Sequence, residues 1–171
     1  MPRVPLSPVA SIYTFRVRLR GFVDEDGHKA EDVWREIEVA ANQTLADLGE
    51  AIPLAFDFDD PHLWSFYLSG KAWDQSTEYA LQSEPELLGS KRKRLASRVK
   101  IRDVPFPGKT GGKEFLFLFD YGDEWHFRVK LVRASETVEP GAVYPRVVAH
   151  QGESPPQYES LEDEEDEEEV G

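Results

Sequence analysis

Hydrophobic and polar side chains alternate strictly along Ile12–Arg20, the first extended pattern in the chain. The hydrophobic positions are Tyr13, Phe15, Val17 and Leu19, and the polar positions are Thr14, Arg16, Arg18 and Arg20. A period of two residues with one polar side is typical of a half-buried strand. Val33–Ala40 repeats the pattern after the polar segment Phe22–Asp32, which predicts an antiparallel hairpin with a long connection.

The polar sides of these two predicted strands carry opposite charges. Arginines dominate the first strand, whereas Glu36 and Glu38 lie on the second. We therefore expect Arg16 or Arg18 to face one of these glutamates across the hairpin, which would contribute a few tenths of a kcal/mol.

A helical pattern follows the two strands. Thr44 and Asp47 have the spacing of a capping box, in which each residue hydrogen-bonds the backbone of the other. The apolar residues that recur at helical spacing are Leu45, Leu48, Ile52, Ala55 and Phe56. Gly49 and Pro53 weaken the pattern, because proline lacks a backbone donor. The pattern predicts a helix of about three turns that ends near Asp57.

Shorter extended segments follow the helix. Leu63–Leu68 alternates as a strand does, with Trp64 on its apolar side, and Gly70 ends it. Trp73–Leu81 predicts a short strand or an irregular edge, and Glu84–Ser97 predicts a surface loop with a helical turn.

The densest aromatic cluster lies in Lys113–Val132, which predicts a second hairpin. Its first strand, Phe115–Phe119, is apolar on both sides, and such strands are usually covered on both faces, so it is placed centrally in the sheet. The returning strand alternates from Trp125 onward. The turn between them is Asp120-Tyr121-Gly122-Asp123, and Gly122 is expected to supply the positive φ of a short hairpin loop.

These elements predict a single α+β domain over residues 1–158 with a mixed, mainly antiparallel sheet and one principal helix packed on it. Nine acidic residues and no basic residue lie from Glu159 onward, so only −4 of the net charge of −13 belongs to residues 1–158. Residues 159–171 are predicted to be a disordered acidic tail, because the segment is poor in apolar residues and repels itself. A body of net negative charge is a poor general binder of nucleic acid.

The composition also excludes several classes of protein. The absence of cysteine rules out disulfides, thiolate metal sites and a cysteine nucleophile. No apolar run approaches the length of a membrane span, and the first residues lack a signal-type segment, so a cytoplasmic location is expected. No Gly-x-Ser-x-Gly motif supports a serine nucleophile, and the segment before Lys109-Thr110 lacks the first glycine of a phosphate-binding loop.

One candidate site combines the hairpin turn with the segment before the third strand. Asp120, Asp123, His126 and His62 supply carboxylates and imidazoles, which could bind a divalent cation or transfer protons. The structural alternative is that aspartates bond the local backbone in turns and that His126 lies on the polar side of its strand. No cofactor is implied by the pattern, and a divalent metal is the one possibility it leaves open.

The aromatic residues have two interpretations as well. The tryptophans are expected in the core, whereas exposed members among Trp64, Tyr67 and Trp73 would line a ligand groove or a partner surface. Trp64 and Trp125 are also candidate binding residues beside the acidic turns.

A basic run forms the second candidate surface. Its residues are Lys91, Arg92, Lys93 and Arg94, followed by Arg98, Lys100 and Arg102. Such a run could contact phosphates, but it has no interleaved aromatic residues for stacking on bases. The alternatives are a solvated loop and pairing with the acidic tail of the same chain or a neighbour.

The order of motifs resembles one family of proteins. The matching residues are Tyr13–Leu19, Trp34-Arg35-Glu36-Ile37, Leu45–Phe56, His62-Leu63 with Phe66, Asp120-Tyr121-Gly122-Asp123 with Trp125, Tyr144-Pro145-Arg146, and Pro155-Pro156. This series is similar to the plasmid pRiA4b Orf-three-like family, whose members are often encoded with mobile elements and have no established biochemical activity. The resemblance implies a compact α+β fold with a mixed, strongly curved sheet.

The chain departs from that family at two places. Phe127 stands where the family usually has a histidine, with His126 one position earlier. Gln157-Tyr158-Glu159 follows the double proline, where relatives have a carboxylate–Cys–Gly–Gly ending. Any site that relatives build from those residues is expected to be altered or lost here.

Three functions are compatible with these observations. The leading hypothesis is a cytoplasmic, non-enzymatic binding or accessory protein that recognises a protein partner. The alternatives are a metal-dependent enzyme or metal-binding protein that uses the acidic turns, and a DNA-associated factor linked to transposition or recombination of a mobile element. An exposed sheet edge would favour the first, a pocket at Asp120, Asp123 and His62 the second, and a continuous basic face the third.

Overall fold

The structure is a computed structural model that describes residues 11–20, 33–82, 93–108 and 113–158. Several expectations fall outside these ranges: the loop Phe22–Asp32, residues 84–92 of the loop after the third strand, Lys91 and Arg92 of the basic run, and the acidic tail 159–171.

Within the described residues, eight strands form one sheet. They are β1 (Ile12–Arg20), β2 (Trp34–Ala40), β3 (Trp64–Tyr67), β4 (Glu78–Ala80), β5 (Arg94–Leu95), β6 (Phe115–Phe119), β7 (Trp125–Ser135) and β8 (Arg146–Gln151). The order is β5-β4-β3-β6-β7-β1-β2-β8, and every neighbouring pair is antiparallel except β4 and β5. With one principal helix and an open, curved sheet, the predicted α+β class is confirmed.

The predicted aromatic hairpin lies in the middle of this sheet. β6 is flanked by β3 and β7, and all five of its side chains are buried, which agrees with its apolar character on both faces. Phe119 pairs with Trp125, so the turn spans residues 120–124.

The expectation that Gly122 supplies the positive φ of this turn is wrong. The left-handed residues are Asp120, with φ of 66°, and Glu124, with φ of 52°. Aspartate tolerates this conformation better than most residues, and Oδ1 of Asp120 accepts hydrogen bonds from the backbone N–H groups of Gly122 and Asp123 at 3.1 and 3.3 Å. The aspartate that starts the turn therefore also holds it.

The helix α1 (Leu45–Ala55) begins as the sequence predicts. Asp47 N–H donates to Oγ1 of Thr44, and Thr44 N–H donates to Oδ2 of Asp47, which completes the capping box. At the other end, Asp57 takes a left-handed conformation and Phe58 N–H reaches back to the carbonyl of Pro53 at 2.8 Å. This bond satisfies a carbonyl that the end of the helix leaves without a partner.

α1 covers one face of the sheet at very short distance. Gly49 lies against the indole of Trp64, and a Cβ atom built on Gly49 would be 2.4 Å from Cη2 of that ring. Around this contact the hydrophobic core is largely aromatic, with Phe117 packed between Phe66 and Phe127 at ring distances of 4.7 and 5.9 Å. Only glycine permits this approach of helix and sheet.

The opposite face of the sheet has a different character. Its apolar part is small and consists of Tyr67, Leu116 and Leu118, with Ala72 and Tyr121 packed on them. Further along the sheet this face carries charged side chains of β1, β2 and β7. No helix in the described part of the chain is long and apolar enough to cross a membrane.

Candidate functional site

The predicted site at the hairpin turn brings together three distant segments of the chain. His62 precedes β3, Asp120 follows β6, and Tyr158 lies at the end of the described residues. Nε2 of His62 is 3.5 Å from Oδ2 of Asp120 and 3.8 Å from Oδ2 of Asp60. The hydroxyl of Tyr158 is hydrogen-bonded to Nε2 of His62 and donates to Oδ2 of Asp60 at 2.8 Å. We call Asp60, His62, Asp120 and Tyr158 the acidic corner.

The acidic corner strongly favours the protonated form of its phenol. Loss of solvent, the hydrogen bond to Asp60 and the negative charges of Asp60, Asp120 and Asp123 raise the pKa of Tyr158 to about 12. A phenolate would add a negative charge among these carboxylates. Tyr158 is therefore a hydrogen-bond donor at every physiological pH.

The acidic corner also holds the last described residues against the segment before β3. The side chain of Gln157 accepts from the N–H of Asp60 at 3.2 Å and donates to its carbonyl at 2.9 Å. Together with Tyr158, these contacts fasten residues 157–158 to the segment before β3. In the described part of the chain, no group of three or more histidine, cysteine, aspartate or glutamate side chains is arranged to hold a metal ion.

The other predicted site residues lie elsewhere. Trp64 is buried in the core, with 3% of its surface exposed. Trp125 packs on Phe58 at 4.8 Å between ring centres, and its Nε1 is buried without a partner in the described residues. His126 lies beside Glu124, at 3.7 Å, on the opposite face of the sheet. The structure therefore brings His62 and Asp120 together and places Asp123 on the same turn. The other three predicted site residues, Trp64, Trp125 and His126, lie outside this cluster.

Sequence reasoning missed Tyr158 as a member of this site. Its one signal was the departure from the family after Pro155-Pro156, where Gln157-Tyr158 replaces a carboxylate and a cysteine. That comparison marked the position as altered, but it did not indicate which segment the new side chains would contact.

The described part of the predicted basic run is bound to the fold. Nζ of Lys93 lies 3.3 Å from Oε2 of Glu78 and 5.0 Å from the ring centre of Tyr121. Arg94 donates to the carbonyl of Ser76 at 2.7 Å. These two cations fix β5 against its neighbours.

Glu78 is the centre of a buried polar network. Its Oε2 accepts from Ser65 Oγ at 2.5 Å and from the Tyr67 hydroxyl at 3.1 Å, and Ser65 is also hydrogen-bonded to Tyr121 at 2.6 Å. Burial and the charge of Glu78 raise the pKa of Tyr67 well above its usual range. The network joins β3, β4 and the hairpin turn, and its members Ser65, Tyr67 and Glu78 are buried.

A stripe of cations crosses the same face of the sheet. Arg16 pairs with Lys130, Arg18 with Arg128, and Arg20 with His126 on the adjacent strands β1 and β7. Like charges placed directly opposite each other in a sheet are unfavourable. The cation stripe is defined as Arg16, Arg18, Arg20, Arg128 and Lys130.

Arg128 lies at the centre of the cation stripe. Its Nη1 donates to the carbonyl of Gly70 at 2.8 Å, whereas its Nε is buried without a partner in the described residues. Burial and the charges of Arg20 and Arg18 lower the pKa of Arg128, although Glu114 opposes this effect. The alternation of each strand predicted outward cations, but only the register of β1 with β7 shows that they form one array.

The last strand, β8, forms one edge of the sheet. In the described residues it pairs only with β2. A bulge interrupts this pairing, because Ala149 pairs with Glu36 and Val147 with Ile37, which leaves Val148 as the extra residue. Beside this bulge, Val147 and Val148 are 46% and 41% exposed.

Comparisons with known proteins support the fold and identify a family. The family model described as "Plasmid pRiA4b ORF-3-like protein" matches residues 11–162. Among solved structures, a protein of unknown function from Methanosarcina mazei Go1 is similar with a TM-score of 0.64 and 22% sequence identity, over 94% of this chain and 81% of that one. No curated protein matches the chain. At this identity the solved structure supports the fold alone.

Proposed function

The chain belongs to the plasmid pRiA4b ORF-3-like family, and from that premise we propose that it acts by recognising a partner protein rather than by catalysis. The observation that carries the proposal is the outer edge of β8, which pairs with no second strand in the described residues. An extended segment of the partner would add to the sheet there, antiparallel or parallel to β8, through main-chain hydrogen bonds.

The edge of β8 has the properties that strand addition needs. β8 is six residues long, whereas β5 at the other end of the sheet has two. Soluble proteins usually protect long edges with charges, prolines or a covering segment, because an open edge pairs with other chains. β8 has a bulge at Val148 and one charge, Arg146, which is paired with Glu38 and Glu139. Its middle exposes two valines, which offer apolar contact to the side chains of an added strand.

The polar clusters support binding rather than catalysis. Ser65 and Glu78 are buried beneath Tyr121, and a substrate would have to open the sheet to reach them. In the acidic corner, Oδ1 of Asp120 is engaged by the turn and the Tyr158 hydroxyl by Asp60 and His62. These groups stabilise the fold with the hydrogen bonds that a reaction would require them to release.

Site-specific photocrosslinking in cells tests the proposal. A photoreactive amino acid replaces Val148 on β8, and a matched protein carries it at Glu50, an exposed position of α1. We expect a discrete crosslinked protein from position 148 that is absent from position 50. The same adducts from both positions, or none from position 148, would contradict the proposal, and an adduct of twice the mass of the chain would show self-association instead.

A charged substitution on β8 tests the proposed strand addition independently. Val147→Lys places a charge on β8, which opposes strand addition, whereas Val143→Lys adds the same charge at a residue that is 80% exposed and outside the strand. We expect only Val147→Lys to remove the crosslink at position 148. Equal thermal stability of the two variants would show that the fold is retained.

A further inference from the structure

We propose that the open face of the sheet binds single-stranded nucleic acid along the cation stripe. The charged part of this surface is formed by β1 and β7, and β2 separates it from the edge strand β8, so the inference does not depend on the proposed binding of a protein partner. It also differs from the basic run predicted from the sequence, whose described members Lys93 and Arg94 are bound to neighbouring segments.

The first argument is the arrangement of charge. Residues on one side of a strand recur about every 6.7 Å, so Arg16, Arg18 and Arg20 extend over about 13 Å along β1. β7 adds Lys130 and Arg128 opposite two of them. Such like-charged pairs weaken a sheet unless an anion lies across them. A polyanion with regularly spaced phosphates supplies that charge.

The second argument is that the acidic partners on this face leave part of the charge uncompensated. Arg16 is paired with Glu36 at 2.9 Å and Arg18 with Glu114 at 2.6 Å. Among the described residues, Arg20 and Lys130 form no ion pair, and Nε of Arg128 has no hydrogen-bond partner. The two charges without an ion pair therefore lie at the two ends of the cation stripe, one on β1 and one on β7, with Arg128 between them.

The third argument is the pair of tryptophans that flank the cation stripe. Trp34 lies opposite Arg18 on β2, and the guanidinium of Arg16 is 4.4 Å from its ring centre. On the other side, Trp73 is 48% exposed and packs against Tyr67 and Tyr121. Proteins that bind single strands combine a basic track for the backbone with aromatic rings for the bases. In a duplex the bases stack on each other, so these rings favour a single strand.

The net negative charge of the chain does not determine the sign of the electrostatic potential at this surface. Exposed charges more than about 10 Å apart are largely screened at 0.1 M salt. The local excess of arginine and lysine on the sheet face therefore determines how an approaching phosphate is attracted. It also makes the expected binding strongly dependent on salt.

Fluorescence anisotropy with the full-length chain tests the proposal. The probe is a fluorescein-labelled DNA single strand of mixed sequence and roughly 20 nucleotides, longer than one binding site of this kind. The test variant is Arg20→Ser with Lys130→Ser. Its matched control is Arg98→Ser with Lys100→Ser, which removes the same charge from exposed residues of the predicted basic run.

We expect saturable binding by the unaltered chain at low salt, and a loss of about tenfold in affinity for the stripe variant but not for the control. The salt dependence should fall in the stripe variant as two phosphate contacts are lost. Trp34→Leu removes a stacking platform and should also weaken binding about tenfold. Unchanged thermal unfolding of each variant would show that the effects belong to the surface.

Several outcomes would overturn the proposal. No saturable binding of the unaltered chain at low salt, or equal losses in the stripe variant and its control, would contradict it. Competition by polyglutamate that is as strong as competition by the unlabelled oligonucleotide would assign the surface to an acidic polypeptide. Tighter binding of the same sequence as a duplex would contradict the role of the tryptophans.

Discussion

Asp120 has two roles in the hairpin turn, and its two carboxylate oxygens divide them. Oδ1 accepts the N–H groups of Gly122 and Asp123, and Oδ2 faces His62 at 3.5 Å. Asp120 itself is 9% exposed and left-handed, so a replacement must accept from two backbone N–H groups and tolerate φ of 66°. Few side chains meet both conditions.

We expect Asp120→Ala to lower the free energy of unfolding by about 2 kcal/mol, because two backbone donors lose their acceptor and alanine is strained at this φ. Asp120→Asn keeps an acceptor oxygen and tolerates the conformation, so it should lose less than half as much. Urea unfolding of both variants gives the comparison. Equal losses would show that the charge of Asp120 beside His62, rather than its hydrogen bonds in the turn, is its main contribution to stability.

The pKa of Tyr158 gives a second test at the scale of single residues. Its value of about 12 in the folded chain lies above the value of 10.0 for a free phenol. Stability from its hydrogen bond to Asp60 is therefore fully present below pH 10 and lost as the pH rises from 10 to about 12. The difference in tyrosinate absorbance between the unaltered chain and Tyr158→Phe should titrate near pH 12. A midpoint near pH 10 would show that Tyr158 does not contact Asp60 and His62 in solution.

At the scale of elements, one buried carboxylate links three strands. Glu36 of β2 accepts from Arg16 of β1 at 2.9 Å and from Arg133 of β7 at 3.0 Å. Burial alone would raise the pKa of Glu36, but the hydrogen bonds from Arg16 and Arg133 outweigh it and lower the pKa below the usual 4.5. The charged form is therefore the one that stabilises the sheet.

We expect Glu36→Gln to cost about 2 kcal/mol at neutral pH, because both arginines lose a charged acceptor. The stabilising effect of Glu36 is present above the unfolded pKa and is lost as the pH falls through the lower, folded pKa. The difference between the two proteins in denaturant unfolding should thus be constant above pH 5 and shrink below about pH 4. A difference that does not change with pH would assign the effect to packing. Glu50→Gln, at an exposed helix position, is the control.

The contact between α1 and the sheet depends on one missing side chain. Gly49→Ala would normally favour a helix by about 1 kcal/mol, but here the new Cβ would lie 2.4 Å from the buried ring of Trp64. We expect a net loss of about 1–3 kcal/mol, measured by urea unfolding, because the core cannot move the indole without disturbing its neighbours. Glu50→Ala, one residue further on, should be nearly neutral. Stabilisation by Gly49→Ala would mean that helix and sheet can separate at little cost.

The sequence predicted elements well where a single element carries its own signal. Alternation predicted β1, β2 and β7, a run that is apolar on both sides predicted β6, and the capping box located the start of α1. The expected pairing of Arg16 with Glu36 was also correct, because two adjacent strands joined in sequence leave few registers that bury both apolar sides.

The candidate site was predictable only in part, because its geometry depends on contacts between distant segments. Alternation placed arginines outward on β1 and cations outward on β7, but it could not show that the two sets lie on adjacent strands. Tyr158 carries no periodic pattern and reaches His62 across 96 residues of sequence. Phe119 pairs with Trp125, so the turn of the hairpin has five residues. Its left-handed positions are the first and the last of these, Asp120 and Glu124, rather than Gly122 in the middle.

At the scale of the whole molecule, two blocks of opposite charge belong to one chain. The cation stripe lies on the sheet, and nine acidic residues lie beyond Tyr158. A segment of 13 residues extends at most about 47 Å, and the acidic corner fixes the point from which it starts. A tethered segment of this charge is expected to compete with free polyanions for any basic surface within that reach.

We expect removal of residues 159–171 to increase the affinity for polyanions by about tenfold at low salt, because a tethered competitor is lost. The two proteins should converge at about 0.5 M salt, where the Debye length is only a few Å. Heparin binding and oligonucleotide anisotropy measure the effect. A variant in which Gly and Ser replace the tail at equal length separates charge from chain length. Equal affinities of all three proteins at low salt would show that the tail does not compete.

The order of the strands also determines how the chain can assemble during synthesis. β1 is translated first among the strands, yet it lies between β2 and β7, and 104 residues separate Arg20 from Trp125. At about 5–20 residues per second, the ribosome needs roughly 5–20 s to supply that second neighbour. During this time one edge of the β1–β2 hairpin has no partner. The charged residues on β1 therefore also serve the nascent chain, because arginines along an open edge oppose its pairing with other chains.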